Sequence, residues 1–117
     1  MAAGERLICA SADLVDGGKG VRFNIEHSGG AKSAFAVRFR GQVFAYYNRC
    51  AHVPMELDWN RGEFFDHSGL YLICATHGAL YDPASGACML GRCNGRGLQV
   101  VAVCEHDGNV YLKQEGG

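Results

Sequence analysis

Four residues in the middle of the chain have the types and the spacing to hold a metal centre. They are Cys50 and His52 in Cys50-Ala51-His52, and Cys74 and His77 in Cys74-Ala75-Thr76-His77. Thiolate and imidazole donors together suit iron, zinc or copper far better than magnesium or calcium. The motifs read C-x-H and C-x-x-H, with 21 residues between them. In a chain of 117 residues with six Cys and five His, about 0.26 instances of either pairing arise at random, so both in this order should appear in roughly a few per cent of shuffled chains. The bland reading, two buried Cys and two surface His with no shared role, is therefore the weaker one. A mononuclear zinc site using all four is a better rival. Zinc sites of two Cys and two His, however, usually pair Cys with Cys and His with His, whereas each motif here mixes the two.

Other residues carry less. Cys88 and Cys93 form C-x4-C beside this region and read as two reduced loop thiols, with a disulfide or a redox-sensitive pair as the alternatives. Cys9 and Cys104 lie in strand patterns and read as small core residues. His27, His67 and His106 sit beside Gly, Ser or Asp and read as solvated turn residues. Arg92 and Arg96 offer a basic rim at most, and the aromatic run Phe44, Tyr46 and Tyr47 reads as strand packing ahead of the first motif.

The elements that must position these ligands are short strands. Val21-Arg22-Phe23-Asn24-Ile25 alternates apolar and polar residues, 34–39 and 43–47 are apolar-rich runs, and a first strand opens at Arg6-Leu7-Ile8-Cys9. Arg40-Gly41-Gln42 joins two of these runs as a hairpin. Leu98, Val100, Ala102 and Cys104 alternate into a further strand, which turns at His106-Asp107-Gly108-Asn109 into Val110-Tyr111-Leu112. Helix-period patterning is weak, and at most a short turn fits Met55 to Asn60. The expected architecture is one all-β domain over residues 1–117. Its antiparallel base comes from about 1–47 and 98–117, with an inserted lobe over about 48–97 that carries the ligands.

Composition sets the outer bounds. Apolar residues make up 48% and charged residues 20%, and the net charge is −1. Nothing global draws such a chain to nucleic acid or to an anionic membrane. No apolar run approaches the roughly 20 residues that span a bilayer. Met1-Ala2-Ala3-Gly4-Glu5-Arg6 lacks the charged and apolar regions of a signal peptide, so the expected location is the cytoplasm.

With Gly78 after His77, the two boxes C-x-H and C-x-x-H-G resemble those of the Rieske iron–sulfur family. The resemblance covers about Asn48 to Gly86. It implies small stacked antiparallel sheets with a cluster-binding lobe, and one [2Fe–2S] cluster. Cys50 and Cys74 would ligate the inner iron, and His52 and His77 the outer iron near solvent. Gly78 would allow the tight backbone turn beside the cluster. Met55 and Thr76 stand where quinol-oxidising members carry an extra Cys pair, so that loop disulfide is absent. Ala79 replaces a Ser that donates to a sulfide in those members, which lowers the potential. Tyr81 falls where they have a Tyr bonded to a ligand sulfur, which raises it slightly. The expected midpoint lies in the low half of the family's ~−150 to +300 mV range. The gap between the boxes is longer than in ferredoxins, and the third loop, Gly91 to Gly97, lacks proline.

The implied function is one-electron transfer from a reductase to an oxygenase or other terminal oxidoreductase. No Ser–His–acid order, dinucleotide glycine fingerprint or phosphate loop suggests catalysis by the chain itself. The rivals are a zinc-stabilised binding module and an iron–sulfur redox sensor.

Overall fold

The computed structural model describes residues 5–27, 30–49, 57, 62–66, 68–74, 79–90 and 97–113. Its strands are β1 (Glu5–Ala10), β2 (Val21–His27), β3 (Gly30–Phe39), β4 (Gln42–Tyr47), β5 (Leu72–Ile73), β6 (Leu80–Tyr81), β7 (Cys88–Leu90), β8 (Val103–His106) and β9 (Asn109–Lys113). A 3-10 turn over Ser11–Asp13 follows β1, and the described residues contain no α-helix. The strands form three antiparallel sheets of three, in the orders β1–β9–β8, β2–β3–β4 and β5–β6–β7. The all-β class expected from the alternation is the class found. No helix among the described residues is long and apolar enough to cross a membrane.

The β2–β3–β4 sheet is buried on both faces at its centre. Ala34, Phe35, Ala36 and Val37 of β3 are all fully inaccessible. Successive side chains of a strand point to opposite faces, so these four residues divide between two cores. Phe35 and Val37 join Tyr46, Leu57, Phe64, Leu72, Cys74, Ala79, Tyr81 and Leu98. Ala34 and Ala36 join Cys9, Leu14, Ala45, Val101, Val110 and Leu112. The register reinforces the division, with Phe35 opposite Tyr46 and Ala36 opposite Ala45. The first core is aromatic and includes Phe35 stacked on Phe64 at 3.9 Å between centroids. The second meets the sheet through methyl groups.

The hairpins are set by their turn residues. Arg40 and Gly41 have φ of 52° and 80°, and Asp107 and Gly108 have 54° and 75°. Both pairs take positive φ at each central position, the two-residue turn that matches strand twist. One expectation is corrected. Residues 98–102 are not part of a strand, and β8 begins only at Val103. This segment instead crosses between sheets: Leu98 N–H donates to Gly86 C=O at 2.8 Å, Val101 N–H to Ala45 C=O at 2.9 Å, and Lys113 N–H to Ala102 C=O at 3.0 Å. Leu98 is buried in the first core and Val101 in the second, while Val100 is exposed, so the apolar alternation of this segment does not mark one buried face. The turn expected over 55–60 lies, apart from Leu57, outside the described residues.

Arg38 locks the 3-10 turn and β8 to the central sheet. Its Nε donates to Leu14 C=O at 2.9 Å, one Nη to Gly41 C=O at 3.1 Å and Glu105 Oε1 at 3.2 Å, and the other Nη to Ser11 C=O at 3.2 Å and Glu105 Oε2 at 2.6 Å. The bidentate pairing with Arg38 holds the Glu105 carboxyl below its ordinary value of 4.5. A depressed folded-state pKa gives stability that is present above the unfolded value and lost as pH falls through the folded one. Melting curves taken from neutral pH into acid should therefore show wild type above Glu105→Gln at neutrality, with the gap closing below about pH 4.5. A gap that widens in acid would contradict this pairing.

Candidate metal centre

Strand β4 leads into the first box. Beyond Tyr47 the chain passes through Asn48, a buried polar residue only 4% exposed. Asn48 N–H donates to Ser33 C=O at 2.9 Å, and its Oδ1 accepts from Leu57 N–H at 2.8 Å. The side chain thus ties the departing chain at Asn48 to the returning chain at Leu57, across the segment whose sequence holds Cys50 and His52. Leu57 is itself fully buried in the aromatic core.

Strands β5 and β6 flank the second box in the same way. Cys74 N–H donates to Ala79 C=O at 2.9 Å, which joins the two ends of the segment carrying His77 and Gly78. Ile73 N–H donates to Phe64 C=O at 2.8 Å and anchors β5 to the aromatic core. Cys74 and Tyr81 are fully buried and Ala79 nearly so. Leu57, Cys74, Ala79 and Tyr81 all belong to that one core, so both loop bases stand on a common apolar platform.

Of the expected site residues, the structure places Cys74, Ala79 and Tyr81, and brings them together. Cys50, His52, His77 and Gly78 lie outside the described residues. Among the described residues no three His, Cys, Asp or Glu converge. What is described fits a cluster ligand: Cys74 keeps its thiol, is wholly shielded from water, and heads a loop whose base is hydrogen-bonded. A soft sulfur donor in such a position suits an iron–sulfur centre.

Two further residues hold the boxes relative to each other. Tyr46 Oη donates to Pro83 C=O at 2.7 Å, and burial pushes its hydroxyl well above the ordinary 10.0. That bond couples β4, which leads to the first box, to the turn after β6, which follows the second. The turn closes through Gly86 N–H to Asp82 C=O at 2.7 Å. Gly86 has φ +77°, and a Cβ there would lie 2.7 Å from Tyr46 Cε1, so only glycine admits the ring. Tyr46 and Asn48 were not legible as functional residues. Tyr46 is one of several aromatic residues in its strand, and the one sequence signal for Asn48 is a buried-capable amide just before a ligand box.

The reading of Cys88 as a reduced thiol is corrected. Cys88 is disulfide-bonded, and its partner lies outside the described residues. Rather than sitting in a loop, it is half-buried on β7 opposite Tyr81. Cys9 and Cys104 keep their thiols. Cys9 is buried in the second core as expected, and burial pushes its thiol pKa up.

The fold is that of small ferredoxins. A ferredoxin of Sphingomonas yanoikuyae B1 superposes with TM-score 0.75 at 24% identity, covering 95% of this chain and 99% of that one. The ferredoxin of carbazole 1,9a-dioxygenase from Nocardioides aromaticivorans IC177 gives 0.71 at 19%, with 97% and 100% covered. A chain in a complex of reduced oxygenase and oxidized ferredoxin in carbazole 1,9a-dioxygenase gives 0.73 at 23%, with 96% and 94% covered. None of the curated proteins matches in sequence. The model of the Rieske [2Fe-2S] domain matches residues 5–114. The chain therefore belongs to the Rieske [2Fe-2S] family, whose cofactor is one [2Fe–2S] cluster.

Replacing Asn48 with Ala leaves the buried Leu57 N–H without its acceptor, which should cost about 1–3 kcal/mol. Anaerobic unfolding curves and iron analysis should show that loss together with reduced iron per chain. Arg49→Ala, at an exposed neighbour, should stay within about 0.5 kcal/mol of wild type with full iron. Equal effects from both variants would remove Asn48 from its place at the loop base.

Proposed function

We propose that this chain is a one-electron carrier between a reductase and an oxygenase. In this reading Cys50 and Cys74 hold one iron of the cluster and His52 and His77 the other, within a single domain of the cytoplasm. When bound, the cluster takes up and releases one electron at a time. The observation that carries the reading is the pair of closed loop bases, Asn48 to Leu57 and Cys74 to Ala79, on one apolar core. Each base precedes or encloses one of the two ligand boxes, so a single rigid support serves both. Support for the partners comes from the likeness to ferredoxins, one of them in a complex with an oxygenase.

The chain's own residues account for the remaining requirements. Cys74 sits on the dry side, where its thiolate is shielded, and the family resemblance implies that His52 and His77 hold the outer iron, the one nearer solvent. Ala79 offers a methyl group and no hydroxyl to the cluster, which disfavours the more negative reduced state. The Tyr81 hydroxyl bonds a ligand sulfur and offsets part of that loss.

A potentiometric titration followed by EPR tests the reading. It should give a one-electron curve with a midpoint in the low half of the ~−150 to +300 mV range, and Tyr81→Phe should move it down. The reduced protein should be reoxidised anaerobically by a Rieske oxygenase. A midpoint in the upper half, or reduced protein inert towards such an oxygenase, would contradict the carrier role. An unchanged midpoint in Tyr81→Phe would remove the hydrogen bond to sulfur.

A further inference from the structure

The aromatic face of the central sheet is not covered along its whole length. At the β3–β4 hairpin it opens into a groove of about 570 Å³. The hairpin contributes Phe39 and Phe44 to the lining, and the chain around the third sheet contributes Leu70, Tyr71 and Met89. Leu70 is 50% exposed and Met89 55%, and large apolar side chains left open in one groove mark a contact surface. A second hollow of about 400 Å³ adjoins the first, shares Phe39, Arg40 and Leu70 with it, and adds Asp16 and Asp66. With Asp82 in the first, the described lining residues bring three carboxylates and one guanidinium to the rim. These groups are held in place. Arg40 lies over the Phe39 ring, 5.1 Å from its centroid. Asp16 accepts from the Arg40 and Gly41 N–H groups at 2.6 and 3.2 Å. Ser68 donates to Asp66 at 2.6 Å and Ser85 to Asp82 at 2.7 Å.

We propose that this groove is a docking site for a basic protein segment that carries an apolar anchor side chain. The proposal stands apart from the electron-carrier reading. The apolar floor takes the anchor, and the carboxylates on the rim take lysine or arginine side chains beside it. The charge of the rim decides against other occupants. A second copy docked about a two-fold axis presents the same rim to itself, which sets three carboxylates against three with one guanidinium on each side. Nucleic acid meets the same repulsion. The position of the groove also separates it from the ligand boxes. Gln42 lines it at the start of β4, and Tyr47 ends that strand ahead of the first box. At about 3.4 Å per residue the two lie about 17 Å apart. Leu70 and Tyr71 precede β5, which runs from them to Cys74. A segment seated here thus lies at the opposite end of β4 and β5 from both boxes.

The test uses iron-loaded protein with ¹³C-labelled methionine methyl groups. The chain has three methionines, and the Met89 signal is assigned through Met89→Leu. The probe is the synthetic peptide Ac-Lys-Leu-Lys-Leu-Lys-amide, titrated by NMR. The Met89 signal should move and saturate, while the reduced-state EPR spectrum stays as it was. Affinity should fall about tenfold when serine replaces both leucines of the peptide, and about tenfold in Leu70→Ser. Glutamate in place of its lysines should abolish binding. The double variant Asp66→Asn/Asp82→Asn should bind about threefold more weakly, and added salt should weaken wild type more than that variant. A Met89 signal unmoved by the lysine peptide, equal binding of the glutamate peptide, or unchanged affinity in Leu70→Ser would each overturn the proposal. So would sedimentation showing a dimer that Leu70→Ser dissociates, because a second copy would then fill the groove. With an intact cluster signal the carrier reading survives all of these failures. Wild type without that signal would count against the carrier reading alone.

Discussion

Strand β3 is buried on both of its faces, and the rest of the molecule is arranged around that constraint. Four consecutive inaccessible residues, Ala34 to Val37, can exist only if each face of the central sheet has a partner. The methyl face takes the β1–β9–β8 sheet. The aromatic face takes β5–β6–β7 together with Leu57 and Phe64. Truncating a buried phenylalanine such as Phe35 costs about 3–5 kcal/mol, a large share of the ~5–15 kcal/mol that holds a domain folded. The aromatic face therefore carries a large share of the stability, and the chain on either side of both ligand boxes is attached to it.

That attachment separates two tasks. The apolar platform excludes water from Cys74, which is fully buried. Single backbone and side-chain hydrogen bonds then close the loops above it: Asn48 to Leu57 for one box, Cys74 to Ala79 for the other. Tyr46 keeps the two in register through Pro83. None of these bonds is strong by itself, but each lies in low dielectric, where breaking it leaves a buried group unsatisfied. Arg38 does comparable work on the opposite side of the sheet, with its N–H groups shared among three carbonyls and a carboxylate.

What the sequence made legible follows from periodicity and spacing. Strand β2 announces itself by alternation, β3 and β4 by apolar runs on either side of a turn, and the Arg40-Gly41 and Asp107-Gly108 turns by residue type. Residues 98–102 misled because their apolar alternation does not match burial: Leu98 and Val101 enter different cores and Val100 is exposed. Strands β5, β6 and β7 run for two or three residues, too few to show a period. Asn48 and Tyr46 act through side-chain hydrogen bonds, which leave no repeating mark in a sequence. The disulfide at Cys88 was not legible because sequence spacing does not determine which sulfurs come within reach of each other. The ligand boxes were legible as motifs, and of their four candidate ligands the described residues include Cys74, which is fully buried.

The central claim is that two histidines and two cysteines share one [2Fe–2S] cluster in this chain. The most direct measurement is electron–nuclear double resonance on dithionite-reduced protein grown with ¹⁵N-labelled histidine. The account predicts couplings from two histidine nitrogens bound at the cluster, with one of the two lost in His52→Ala wherever a cluster remains. A cluster signal without histidine coupling, or a colourless protein carrying zinc in place of iron, would contradict it.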